Sequence, residues 1–156
     1  MKNRMAVRFL CLLTVLLTAA AVPAAGPAED TAGQVFVDLD LSVMSGTVVY
    51  AQVYNMIYEP ESYLGRVIRI AGYYNAFVDK DRGIVYHACI VPDATACCAQ
   101  GIEFVLAGEH SWPEDYPEDG TDIVVTGRLE LYEEDGRQYL HLVDSDLVWE
   151  KGDDQT

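Results

Sequence analysis

The chain has 156 residues, with 10 Lys+Arg against 25 Asp+Glu and a formal net charge of −15. A surface this acidic repels phosphate backbones and anionic membranes and attracts cations, so nucleic acid is a poor partner. Once an N-terminal leader is set aside, roughly 130 residues remain, enough for one domain with its own core.

Lys2, Arg4 and Arg8 form a basic start, and Phe9 to Val22 form an apolar run of 14 residues followed by the small residues VPAAGPA. The run falls short of the ~20 residues that a bilayer span needs. Residues 1–25 are therefore expected to be a signal peptide, cut after Ala24 or Ala25, with no stable membrane span left. Cys11 lies inside the apolar run and should leave with it. The leader carries three basic and no acidic residues, so its loss leaves 7 Lys+Arg against 25 Asp+Glu, a net of −18. The mature protein is expected to be extracytoplasmic, secreted or held in the cell envelope, where disulfides can form.

Residues 26–40 read as a linker and N-terminal arm, whose alternating end, VFVDLDL, suits a short strand or an extended arm. From Thr47 to Ile57, Val49, Val53, Met56 and Ile57 fall at helical spacing, and Pro60 stops the helix. PESYLG then suggests one helical turn closed by glycine. Val67 to Phe77 reads as a strand with a bend at Gly72, followed by the turn DKDRG. Ile84 to Val91 and Ile102 to Ala107 read as the next two strands, and Glu109 to Thr121 as a long acidic loop. Ile123 to Tyr132, with Gly127 inside it, and Gln138 to Trp149 pair across an Asp-Gly turn, with Leu140, Leu142 and Leu147 inward. Lys151 to Thr156 is an acidic tail.

Five strands, two of them bent at glycine, predict a mostly β fold over residues 41–150. The expected form is a small five-stranded OB-like barrel with one N-terminal helix, with a β-sandwich as the alternative.

The segments VVYAQVYNM, PESYLGRVIRIAGYY, DATACCAQGIEF, PEDYPEDG and IVVTGRLELY resemble those of uncharacterised exported proteins of Gram-positive bacteria. These carry an OB-like domain behind a signal peptide or lipid anchor. The likeness spans Leu41 to Val148, and DATACCAQGIEF is its most specific piece; it implies a fold and an exported location but no activity. A more distant similarity is to the soluble domain of a metal-associated permease family that also carries a Cys-Cys pair. There an Ala-Asp-like stretch follows the pair, whereas here Asp93 precedes it.

The stretch from Tyr86 to Phe104 holds His87 and the three cysteines outside the leader, Cys89, Cys97 and Cys98. His87 and Cys89 are two apart in a strand and should share a face. Asp93, after Pro92, suits the cap of a short helical turn that would bring Cys97 and Cys98 back towards the strand end, with Gly101 at its exit. Three thiols and an imidazole are the soft donors that tetrahedral zinc or cuprous copper takes, so His87, Cys89, Cys97 and Cys98 are candidate metal ligands. Two competing readings stand beside this one: a disulfide from Cys89 to Cys97 or Cys98, and three buried thiols with no role beyond packing. Glu114, Asp115, Glu118, Asp119 and Asp122 offer oxygens for calcium, although their spacing and the prolines fit a solvated loop better. His110 and His141 suggest no role.

The sequence holds no Gly-x-Ser-x-Gly, no His-Glu-x-x-His and no phosphate-cradling glycine loop. The expected function is thus a non-catalytic exported binding or interaction module, whose partner is a small ligand, a metal ion or a cell-envelope protein. A thiol–disulfide redox protein, in which Cys97 or Cys98 reacts and Cys89 resolves, is the alternative from another class. A structural domain stapled by a disulfide is the third.

Overall fold

The computed structural model describes residues 36–150. The expected leader, residues 26–35 of the arm and the acidic tail lie outside the described residues. The architecture is mostly β with one helix. Strand β1 (Leu39–Asp40) precedes helix α1 (Gly46–Tyr58) and a 3-10 turn (Pro60–Ser62). Strands β2 (Val67–Asp79), β3 (Ile84–Pro92), β4 (Ala99–Leu106), β5 (Asp122–Glu134) and β6 (Arg137–Trp149) follow. All five strands expected between Val67 and Trp149 form, and VFVDLDL contributes β1 as a sixth.

The sheet order is β1-β2-β3-β4-β6-β5, and β5 also pairs with β2. The second pairing turns five strands into a partial ring. It arises because β2 is long enough to serve two neighbours: Val67 to Tyr73 pair with β5, and Tyr73 to Asp79 pair with β3. The change of partner falls at Tyr73, next to Gly72. A Cβ on Gly72 would stand 2.4 Å from the carbonyl oxygen of Ile90 and 2.8 Å from the Cys89 sulfur, so only glycine lets β3 approach this closely. Gly127 faces a β-bulge in β6, where Asp144 and Ser145 together oppose it.

Alternation along the strands sends Ile68, Ile70 and Tyr74 of β2, Cys89 and Val91 of β3, Ile102 and Phe104 of β4, and Leu129 and Leu142 of β5 and β6 into one core. Helix α1 adds Val49, Val53 and Met56, spaced to fall on one stripe, and packs on β3 and β4. Ile57, expected on that stripe, lies at its exposed edge instead. Leu140 and Leu147 pack against the core from β6 as expected. Among the described residues no helix is long and apolar enough to cross a membrane.

The tips of two hairpins meet. Arg82, in the β2–β3 turn, pairs with Glu134 at 2.9 Å, beside the β5–β6 turn, and the Tyr86 hydroxyl donates to the same carboxylate. The loop between β4 and β5 is held against β2. The Thr121 carbonyl accepts from the Tyr74 amide, and the Asp119 carboxylate accepts from the Ala76 amide, each at 2.8 Å.

Candidate metal centre

Strand β3 ends at Pro92, and the chain turns over Asp93 to Cys98 before entering β4. Asp93 organises this turn. Its Oδ1 accepts from the backbone amides of Thr95 and Cys97, both at 3.0 Å, while its own amide donates to the Cys98 carbonyl at 2.8 Å. Ala96 takes the left-handed conformation (φ 54°) and redirects the chain just before the two cysteines. The expected helical turn is therefore a tighter, non-helical one. Gly101 is a residue of β4 rather than the turn's exit, because β4 starts at Ala99. There its missing side chain makes room for Ile90.

The turn brings three donors together. The carboxylate of Asp93 and the thiols of Cys97 and Cys98 lie within 4.8 Å of one another, the one such group of three among the described residues. The Cys97 sulfur is 3.4 Å from Asp93 Oδ2 and 3.7 Å from the Cys98 sulfur, and the Thr95 hydroxyl donates to it at 3.1 Å. Both thiols are exposed. Burial alone would raise the Asp93 carboxyl, but bonds from Cys97, Thr95 and the turn's amides outweigh it and lower the pKa. The bond to Cys97, followed by the Asp93 charge, raises the Cys98 thiol.

His87 and Cys89 are placed elsewhere. They share a strand face, as alternation requires, but that face is the core. Cys89 is fully buried, and burial pushes its thiol up to about 12. His87 is half-buried; its Nδ1 is hydrogen-bonded to the Tyr74 hydroxyl at 2.7 Å, and Tyr116 stacks on its ring. Neither belongs to the Asp93–Cys97–Cys98 group. The disulfide considered between Cys89 and Cys97 or Cys98 is not formed. All three are free thiols, because one points into the core while the other two face solvent. Burial as inert thiols fits Cys89 alone.

The five acids named as calcium ligands do not gather into a comparable group among the described residues. Asp115 instead accepts from the Ser111 amide, and Asp119 holds β2.

Sequence reasoning gave Asp93 a capping role and missed it as a donor. The bond that Asp93 accepts from the Cys97 amide, four positions on, sets its carboxylate beside the Cys97 side chain, a contact that the local sequence does not announce.

Compared with protein-family models, curated proteins and solved structures, the chain matches none.

Proposed function

We propose that the chain is an exported, non-catalytic binding module on an OB-like barrel that takes a soft metal ion, zinc or cuprous copper, at Asp93, Cys97 and Cys98. The observation that carries this is the convergence of two exposed thiols and a carboxylate on one turn, with ligand atoms within 4.8 Å of one another. Thiolate donors select such ions over calcium or magnesium. Three protein ligands leave the fourth tetrahedral position to water or to an exchangeable partner, the arrangement of an open site rather than a closed structural one. The partial ring, its glycine bend and the parallel pairing of β4 with β6 support the OB-like reading over a sandwich. The basic start and the apolar run within residues 1–25 support export.

Titration of the purified, chelator-treated protein with zinc, followed by native mass spectrometry, tests the metal reading. One ion per chain is expected, lost in Cys97→Ser and Cys98→Ser and retained in Cys89→Ser. No adduct in the parent would sink it.

The 3.7 Å separation of the Cys97 and Cys98 sulfurs favours one other reading, reversible oxidation of this pair. Cys89 cannot act as resolving thiol from inside the core, so the chemistry would belong to the adjacent pair alone. A two-hydrogen mass loss under mild oxidant, reversed by dithiothreitol and absent in either serine variant, would identify it.

A further inference from the structure

Beside the thiol turn, and sharing Asp93 with it, lies a second feature. The start of α1, the middle of β2, the end of β3 and the paired ends of β5 and β6 enclose an open groove of about 920 Å³. That is within the roughly 300–1,000 Å³ of small-ligand pockets. Its accessible apolar lining comes from Met44, Val148 and Trp149, backed by the buried core residues Leu41, Val49, Val91 and Ile123. Its charged lining residues are all acids, Asp93, Asp122 and Glu150, and no Lys, Arg or His lines it. Asp122 and Glu150 are exposed and keep their hydration, so they cost little to hold there.

We propose that this groove binds an apolar organic cation, an alkyl or aryl amine. The apolar body lies against the exposed Met44 and Val148 and the part-buried Trp149, and the ammonium faces Asp122 and Glu150. Removal of the apolar body from water supplies the affinity. Sign selection comes from the carboxylates, reinforced by a chain of net charge −15. An anionic amphiphile of equal length would meet the same apolar lining but face three carboxylates.

Calorimetric titration with decylammonium and with decanoate, below their micelle thresholds and in excess EDTA, tests this with no metal on the thiol turn. Failure of the metal reading therefore leaves the result unaffected. The parent is expected to bind decylammonium about ten-fold or more tightly than decanoate. A Cβ on Gly46 would meet no atom within 4 Å, so Gly46→Trp can fill the groove's mouth without a clash at the backbone. That variant should melt like the parent and bind decylammonium at least about ten-fold more weakly. Asp122→Asn with Glu150→Gln should bring the two amphiphiles to within about three-fold of each other.

Four outcomes would overturn the proposal. They are decanoate binding as tightly as decylammonium to the parent, and no binding of either. The other two are undiminished binding by a folded Gly46→Trp protein, and a cation preference that survives in the doubly neutralised variant.

Discussion

The Nδ1 of His87 is hydrogen-bonded to the hydroxyl of Tyr74 at 2.7 Å, joining β3 to β2 through side chains as well as backbone. Tyr116, from the loop between β4 and β5, stacks on the imidazole with ring centroids 3.8 Å apart. Tyr74→Phe keeps the ring and removes the hydroxyl, leaving a half-buried nitrogen without this partner. The expected cost is about 1–2 kcal/mol, read as a lower urea midpoint at unchanged slope.

Burial lowers the His87 pKa from its ordinary 6.5. As pH falls below that value the unfolded chain takes up the proton first, so stability is lost on acidification. His141, lowered chiefly by burial as well, adds to the same loss. His87→Gln should flatten part of the decline, as measured by urea midpoints over the acid range. An unchanged profile would mean that His87 titrates as if unfolded.

At the alkaline end the signs reverse. Burial raises Cys89 from 9.0 and Tyr74 from 10.0, each to about 12. The stabilisation these groups give is complete below their unfolded values and is lost as pH rises towards 12, by about 1.4 kcal/mol per pH unit for each group titrating. Cys89→Ala should remove the part that begins near 9. Denaturation curves at about pH 8 and about pH 10 suffice to show it.

Iodoacetamide should separate the thiols. Cys97 and Cys98 are exposed and should be alkylated in the native protein, whereas Cys89 should react only on unfolding. Asp93→Asn keeps an oxygen to cap the turn while removing the charge that helps raise the Cys98 thiol, so Cys98 should react faster in that variant. Peptide mass mapping against time checks both. Equal rates at Cys89 and Cys97 would contradict the placement of Cys89 in the core.

Two glycines should respond to alanine in opposite directions. Gly72→Ala drives a Cβ into the Ile90 carbonyl and should cost about 2–3 kcal/mol, because the nearest atom is backbone of a paired strand and the next, the Cys89 sulfur, is held in the core. Gly46→Ala meets open space at the start of α1 and should stabilise by about 0.5 kcal/mol. Thermal melting of the two variants is a direct comparison.

Much of this fold is legible residue by residue. Alternation in β2, β5 and β6, the Asp-Gly turn and the proline after α1 are local signals, and each marks an element that forms. Gly72 was readable as a bend, but its reason, the carbonyl of Ile90 pressed against it, is a contact made across strands. The division of β2 between β3 and β5 is likewise non-local. The site divides in the same way. Alternation put His87 and Cys89 on one face, but nothing in the local pattern said that this face was the core. Cys97 and Cys98 stood out by composition. The part played by Asp93 became visible only when its hydrogen bonds closed the turn and left its second oxygen beside the Cys97 sulfur.

The central claim is that Asp93, Cys97 and Cys98 form one metal-binding unit. Its most direct test is zinc titration of the chelator-treated, reduced protein with proton release measured alongside, because thiols must deprotonate to ligate. The account predicts one zinc per chain, protons released on binding, affinity that rises with pH, and binding abolished in Cys98→Ser and weakened in Asp93→Asn. Stoichiometric binding that survives loss of both Cys97 and Cys98, or no binding to the reduced parent at any pH at which it is folded, would contradict it.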